Sequence, residues 1–155
     1  MRLAVSAAMA LACAASPSAA EPNLQQAVMA FLNSCANGDK AAVIAAVEPN
    51  VHLYGSDLSE TYTGAEGAGE MFDQDMKLWG GAAKFGTMWH ATTVREGNLE
   101  SIVFDIPFTA GRNPTVTMRF AMVWHLEGDV WKLAQSSNTV PTVGQSVADI
   151  LKRNP

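Results

Sequence analysis

At 155 residues the chain has the length of one domain. With 48% apolar and 16% charged side chains it has the composition of a folded protein, which excludes a disordered one. Its 10 basic and 15 acidic side chains give a net charge of −5, and no basic stripe occurs, so a nucleic-acid backbone is excluded as a partner.

Residues 1–20 read as a secretory signal peptide. Arg2 is a short positive start, and residues 3–12 form an apolar run. That run is shorter than the roughly 20 residues a membrane-spanning helix needs. Ser18 and Ala20 are the small residues expected at −3 and −1 of a cut after Ala20. The expected mature domain is 21–155, with a net charge of −6 because Arg2 is the only charge removed. The expected location is periplasmic or secreted. A lipid anchor on Cys13 is less favoured, since Leu11 stands one place late for that motif. No other stretch could span a membrane. Cys35 would then be the one remaining cysteine; it sits among apolar residues and is expected to be buried as a small hydrophobe.

Leu24, Ala27, Val28, Phe31, Leu32 and Cys35 recur at helical spacing and predict a first helix, stopped by Asn37-Gly38-Asp39. Asp39 can cap a second helix over 40–47, ended by Glu48-Pro49-Asn50. A short strand is predicted over 51–54, a polar loop over 55–64, and a third helix over 65–79 ended by Gly80-Gly81. Four long strands are predicted over 84–95, 99–109, 115–126 and 130–140. The turns between them centre on Gly97, on Gly111 to Pro114, and on Gly128. A short tail helix is predicted over 147–151. Helices followed by hairpins mean an α+β domain.

Tyr54-Gly55-Ser56-Asp57-Leu58-Ser59-Glu60-Thr61-Tyr62-Thr63-Gly64 resembles the SnoaL-like segment Gly-Thr-Asp-Pro-x-Glu-x-aromatic-x-Gly. Gly128-Asp129-Val130-Trp131-Lys132-Leu133 resembles the opening of that family's last strand. Together with the order of elements, these motifs make the chain similar to SnoaL-like members of the nuclear transport factor 2-like (NTF2-like) superfamily. The resemblance implies a cone of N-terminal helices packed in a curved antiparallel sheet. It also implies a small-molecule pocket at the mouth and a homodimer through the outer sheet face. Ser137 stands where many relatives carry a histidine, so an acid/base role at that position is in doubt: serine needs a neighbouring base.

In the strand over 115–126, Val116, Met118, Phe120, Met122 and Trp124 share one face, and Thr117, Arg119, Ala121, Val123 and His125 share the other. Alternation does not say which face is inside; the resemblance implies the Arg119 face. An inward Arg119 would bind an anion, and the competing reading is an internal ion pair with Glu60 or another acid. Glu60 either fixes its loop or faces the pocket. Asp105, between Phe104 and Ile106, is the candidate general base if desolvation raises its pKa. Tyr54 and Trp79 reach the cone by fold analogy. His52, His90 and His125 form no pair with metal-ligand spacing, so no metal and no cofactor are expected.

Three functions follow as expectations. The first is an exported domain binding a small apolar or anionic molecule, with Arg119, Gln135, Ser137, Tyr54, Glu60 and Trp79 as its contacts. The second is a small isomerase, dehydratase or cyclase using Asp105. The third is a dimerisation or interaction module without a ligand. Fold does not choose among them.

Overall fold

A computed structural model describes residues 22–153. The predicted signal peptide, its cleavage position and Cys13 lie outside the described residues. No helix among these residues is long and apolar enough to cross a membrane.

Helix α1 (Leu24–Ala36) buries Leu24, Val28, Phe31, Leu32 and Cys35 along one stripe. The Asn23 side chain accepts the Gln26 N–H at 3.1 Å and caps it. Helix α2 (Lys40–Ala46) starts on Asp39, which accepts the Ala42 N–H at 2.9 Å. Strand β1 (Val47–Tyr54) follows directly and is longer than its sequence pattern suggests. It incorporates Pro49 at a break in register between Val47 and His52, one of the few places a strand tolerates proline. Part of the predicted polar loop pairs with it as β2 (Thr61–Thr63). Helix α3 (Gly64–Trp79) ends on Gly80 in the left-handed conformation.

The predicted strand over 84–95 is two strands, β3 (Ala83–Phe85) and β4 (Trp89–Glu96), both paired with β5 (Leu99–Ala110). The interruption falls opposite Pro107. The Gly86 N–H donates to the Pro107 carbonyl at 2.8 Å, and the proline ring packs on Gly86, where a β-carbon would lie 3.1 Å from it. Proline has no N–H to return the second ladder bond. Strands β6 (Val116–Glu127) and β7 (Val130–Thr139) complete the meander, and a tail helix α4 (Val147–Arg153) follows.

The sheet order is β2-β1-β7-β6-β5-β3, with β4 also on β5. The expected antiparallel sheet is in fact mixed, because β1 runs parallel to β7. The reason is topological: α3 and the β3–β6 meander intervene between them, so no hairpin joins the two. The sheet curves and does not close. Its concave face packs Ile102, Phe104, Ile106, Phe120, Met122, Trp124 and Leu133 against the helices. Trp131 lies on the same face and donates its indole N–H to the Pro22 carbonyl at 2.9 Å, tying the start of the described chain to the last strand.

This packing decides the two faces of β6. Phe120, Met122, Trp124 and Leu126 are buried beneath the helices, so the Arg119 face points outward, opposite to the expectation.

Candidate active site in the cone mouth

One wall of the mouth is α3. Met71, Asp75 and Trp79 recur every four residues and so line one stripe of the helix. The opposite wall is the open end of the sheet, with Phe108, Val116 and Met118 from β5–β6 and Asn138 from β7. The loop between β1 and β2 closes one side with Gly55, Ser56 and Glu60, and Tyr62 of β2 adjoins it. Together they enclose a cavity of about 200 Å³. That is below the roughly 300–1,000 Å³ of sites for drug-sized ligands, so it fits a small molecule. Trp79 packs edge-on against Phe108, with ring centroids 5.1 Å apart, and braces the apolar side.

Glu60 serves two ends. Its Oε2 accepts the Asp57 N–H at 3.0 Å, and its carbonyl accepts the Gly55 N–H at 2.8 Å, which closes the loop. A β-carbon at Gly55 would lie 2.1 Å from Glu60 Oε2, so only glycine leaves room for the carboxylate. The same side chain lines the cavity. Across from it, burial and then the Glu60 charge push the Asp75 carboxyl up to about 7. The Tyr62 hydroxyl donates to Gln74 at 2.8 Å, and burial and the acids Glu60, Asp75 and Glu70 raise its pKa.

Asp75 is not among the residues singled out from the sequence. Its spacing of four from both Met71 and Trp79 carries the signal: a carboxylate on the apolar stripe of an amphipathic helix. Of the expected contacts, Glu60 and Trp79 line the cavity. Arg119, Gln135, Ser137 and Tyr54 do not. Trp131, Leu133 and Ser136 are the buried positions of β7, so Gln135 and Ser137 face outward; Tyr54, paired with Ser137, does the same.

Asp105 is likewise on the outer face. Arg119 forks onto it, Nε to Oδ1 at 2.7 Å and Nη2 to Oδ2 at 2.9 Å, with His90 Nδ1 3.3 Å from Oδ2. Arg119 first, then His90, holds the Asp105 carboxyl below its ordinary range, against the desolvation that would raise it. A carboxylate so held is a poor general base. The ion-pair reading of Arg119 is the one the geometry supports, with Asp105 rather than Glu60 as its partner.

A wider groove of about 610 Å³ opens at the other end, between α1, α2 and the β6–β7 turn. Its wall is mainly Ala27, Ala30, Phe31 and Trp131, with Asp129 its one carboxylate. The mouth, with two facing acids and a shifted pKa, is the stronger candidate.

Solved structures share this architecture. The fold is that of the NTF2-like proteins. An NTF2-like protein of unknown function from Pseudomonas putida superposes with a TM-score of 0.68 at 14% identity, covering 79% of this chain and 87% of that one. A candidate dehydratase of the NTF2-like family from Streptomyces avermitilis gives 0.69 at 14% identity, over 77% and 94%. A candidate ketosteroid isomerase from Parabacteroides distasonis gives 0.61 at 15% identity, over 78% and 90%. No protein-family model and no curated protein sequence matches the chain. Likeness at these identities establishes the NTF2-like fold, and the chemistry has to be argued from the mouth itself.

Proposed function

We propose that this chain is an exported NTF2-like protein whose cone mouth takes a small, largely apolar molecule and moves a proton on it through Asp75. The observation that carries this reading is the Asp75 carboxyl, pushed up to about 7 by burial and by Glu60 in a cavity whose apolar lining includes Met71, Trp79, Phe108 and Met118. At neutral pH such a group is about half protonated, which suits it to take a proton at one atom and return it at another. Glu60, held by the Asp57 N–H, lines the same cavity. The Asn138 amide is the polar group on the far wall, placed to orient a carbonyl or hydroxyl. Abstraction of a proton next to a carbonyl, leading to isomerisation or elimination, is the reaction class these parts fit. The dehydratase and isomerase descriptions of two structural neighbours support that class.

The test has two parts. Carboxyl NMR should find Asp75 titrating near neutral pH. A panel of small unsaturated and β-hydroxy carbonyl compounds, screened by thermal shift and by proton exchange, should yield binders whose exchange is lost in Asp75→Asn. An Asp75 titrating near 4, or exchange that survives Asp75→Asn, would overturn the reading.

The outer sheet face supports a second element of the proposal, a homodimer. Tyr54, Ser137, Ala121, Val103 and Thr92 stand side by side across four pairings of the sheet. The row carries no charge, and Tyr54 and Val103 are both more than a third exposed.

A further inference from the structure

We propose that Glu48, His125 and Glu127 form a binding site for a divalent transition-metal ion on the outer face of the sheet, beside the β6–β7 turn. The three residues come from two places in the chain. His125 and Glu127 are two apart on β6 and so share a face. Glu48 lies 77 residues earlier, near the start of β1, two strands away in the sheet order. Nevertheless one donor atom from each falls within 4.8 Å of the other two.

The distances suit one ion. His125 Nδ1 is 2.9 Å from Glu48 Oε1 and 3.9 Å from Glu127 Oε1. Nitrogen and oxygen ligands sit about 2.0–2.2 Å from zinc, so neighbouring ligands lie roughly 3–3.5 Å from one another. Glu127 is exposed, and a turn of its side chain toward His125 and Glu48 completes the set. One neutral imidazole and two carboxylates also balance a double positive charge, and this mixed donor set suits zinc and its first-row neighbours.

The surroundings leave these acids uncompensated. Lys132 is the cross-strand partner of His125 and stands in β7, between β6 and β1. An ordinary surface would use it to pair with a glutamate. Here its ammonium donates to the Ala45 carbonyl at the end of α2. Among the described residues neither glutamate forms an ion pair with a lysine or arginine, and the Glu48 side chain is only 15% exposed. A largely desolvated carboxylate whose one partner is an imidazole is a site that gains by exchanging the shared proton for a metal ion. In the metal-bound form the imidazole carries its proton on Nε2 and the ion takes Nδ1. Bound there, the ion would clamp β1 to the β6–β7 hairpin on the side of the sheet away from Asp75, so this site and the cone mouth stand or fall separately.

The experiment is calorimetric titration of the tag-free protein with zinc chloride, followed by cobalt(II) absorption spectroscopy. One ion per chain should bind, zinc should raise the melting temperature, and cobalt should show the visible bands of a nitrogen- and oxygen-ligated site. His125→Gln and Glu127→Gln should each weaken binding by tenfold or more. His90→Gln and His52→Gln, which alter the other two histidines, should not. Glu127 is exposed, so its variant folds and decides the matter even if His125→Gln does not. Absence of binding at millimolar zinc, or affinity unchanged in Glu127→Gln, would overturn the proposal.

Discussion

Arg119 grips Asp105 through two parallel hydrogen bonds, of 2.7 and 2.9 Å, across the β5–β6 pairing on the outer face of the sheet. The fork explains how an acid can sit between Phe104 and Ile106 with its side chain 6% exposed. His90 completes the arrangement from β4. Its backbone is in the left-handed region (φ 51°), and its ring stacks on Trp89 at 4.8 Å. Removing Arg119 should therefore leave a carboxylate buried without its cation. Arg119→Ala is expected to lower the melting temperature by several degrees, and Arg119→Met combined with Asp105→Leu to recover most of the loss. The folded-state pKa of Asp105 is depressed, so its contribution is present above the unfolded value near 4. It is lost as pH falls through the lower folded value. Arg119→Ala should lose that acid-side slope in a series of melts from pH 6 to pH 2.

Asp75 has the opposite sign. Its folded pKa lies near 7, above its unfolded value, so the folded state holds the extra proton between about 4 and 7. Stability should fall as pH rises through that window and level off above it. Asp75→Asn removes the buried charge without changing shape. It should melt several degrees above the parent protein at pH 8 and close to it at pH 4.

Gly55→Ala tests the packing that brings Glu60 to the mouth. The added methyl would lie 2.6 Å from Glu60 Cβ as well as 2.1 Å from its carboxylate, so rotation of the far end alone cannot relieve the clash. A loss of about 1–3 kcal/mol is expected from overpacking. Carboxyl NMR should show the Asp75 pKa falling as the Glu60 charge withdraws.

Cys35 should be chemically silent. Burial, with a smaller contribution from the Asp75 charge, pushes its thiol up to about 12. A thiol-reactive chromophore at pH 8 is expected to modify Cys35 of the native protein only at the rate of unfolding, and immediately in denaturant.

The outer-face row makes self-association measurable. Sedimentation velocity should show a dimer, and Val103→Glu, which places a charge within the row, should give monomers. A parent protein monomeric at hundreds of micromolar would remove the homodimer from the proposal.

Much of this molecule was legible from one-dimensional pattern. The helical spacing of Leu24, Val28, Phe31, Leu32 and Cys35, the cap at Asp39, and the turns at Gly97 and Gly128 depend on neighbours within a few residues. The break between β3 and β4 was not legible, because its cause, Pro107, lies about twenty residues away in sequence.

By itself the sequence determined the kinds of element, their order, and the division of each strand into two faces. Only the tertiary structure decided which face is inside. Period-2 alternation is symmetric under exchange of faces, and the helices' choice of the Phe120 side sent Arg119, Gln135 and Ser137 outward. It likewise decided which acids meet. Glu60 with Asp75, and Glu48 with His125, come together through the curvature of the sheet and the parallel return of β1. Neither leaves a local trace, because the electrostatics of a carboxylate depend on what lies across the cavity rather than along the chain.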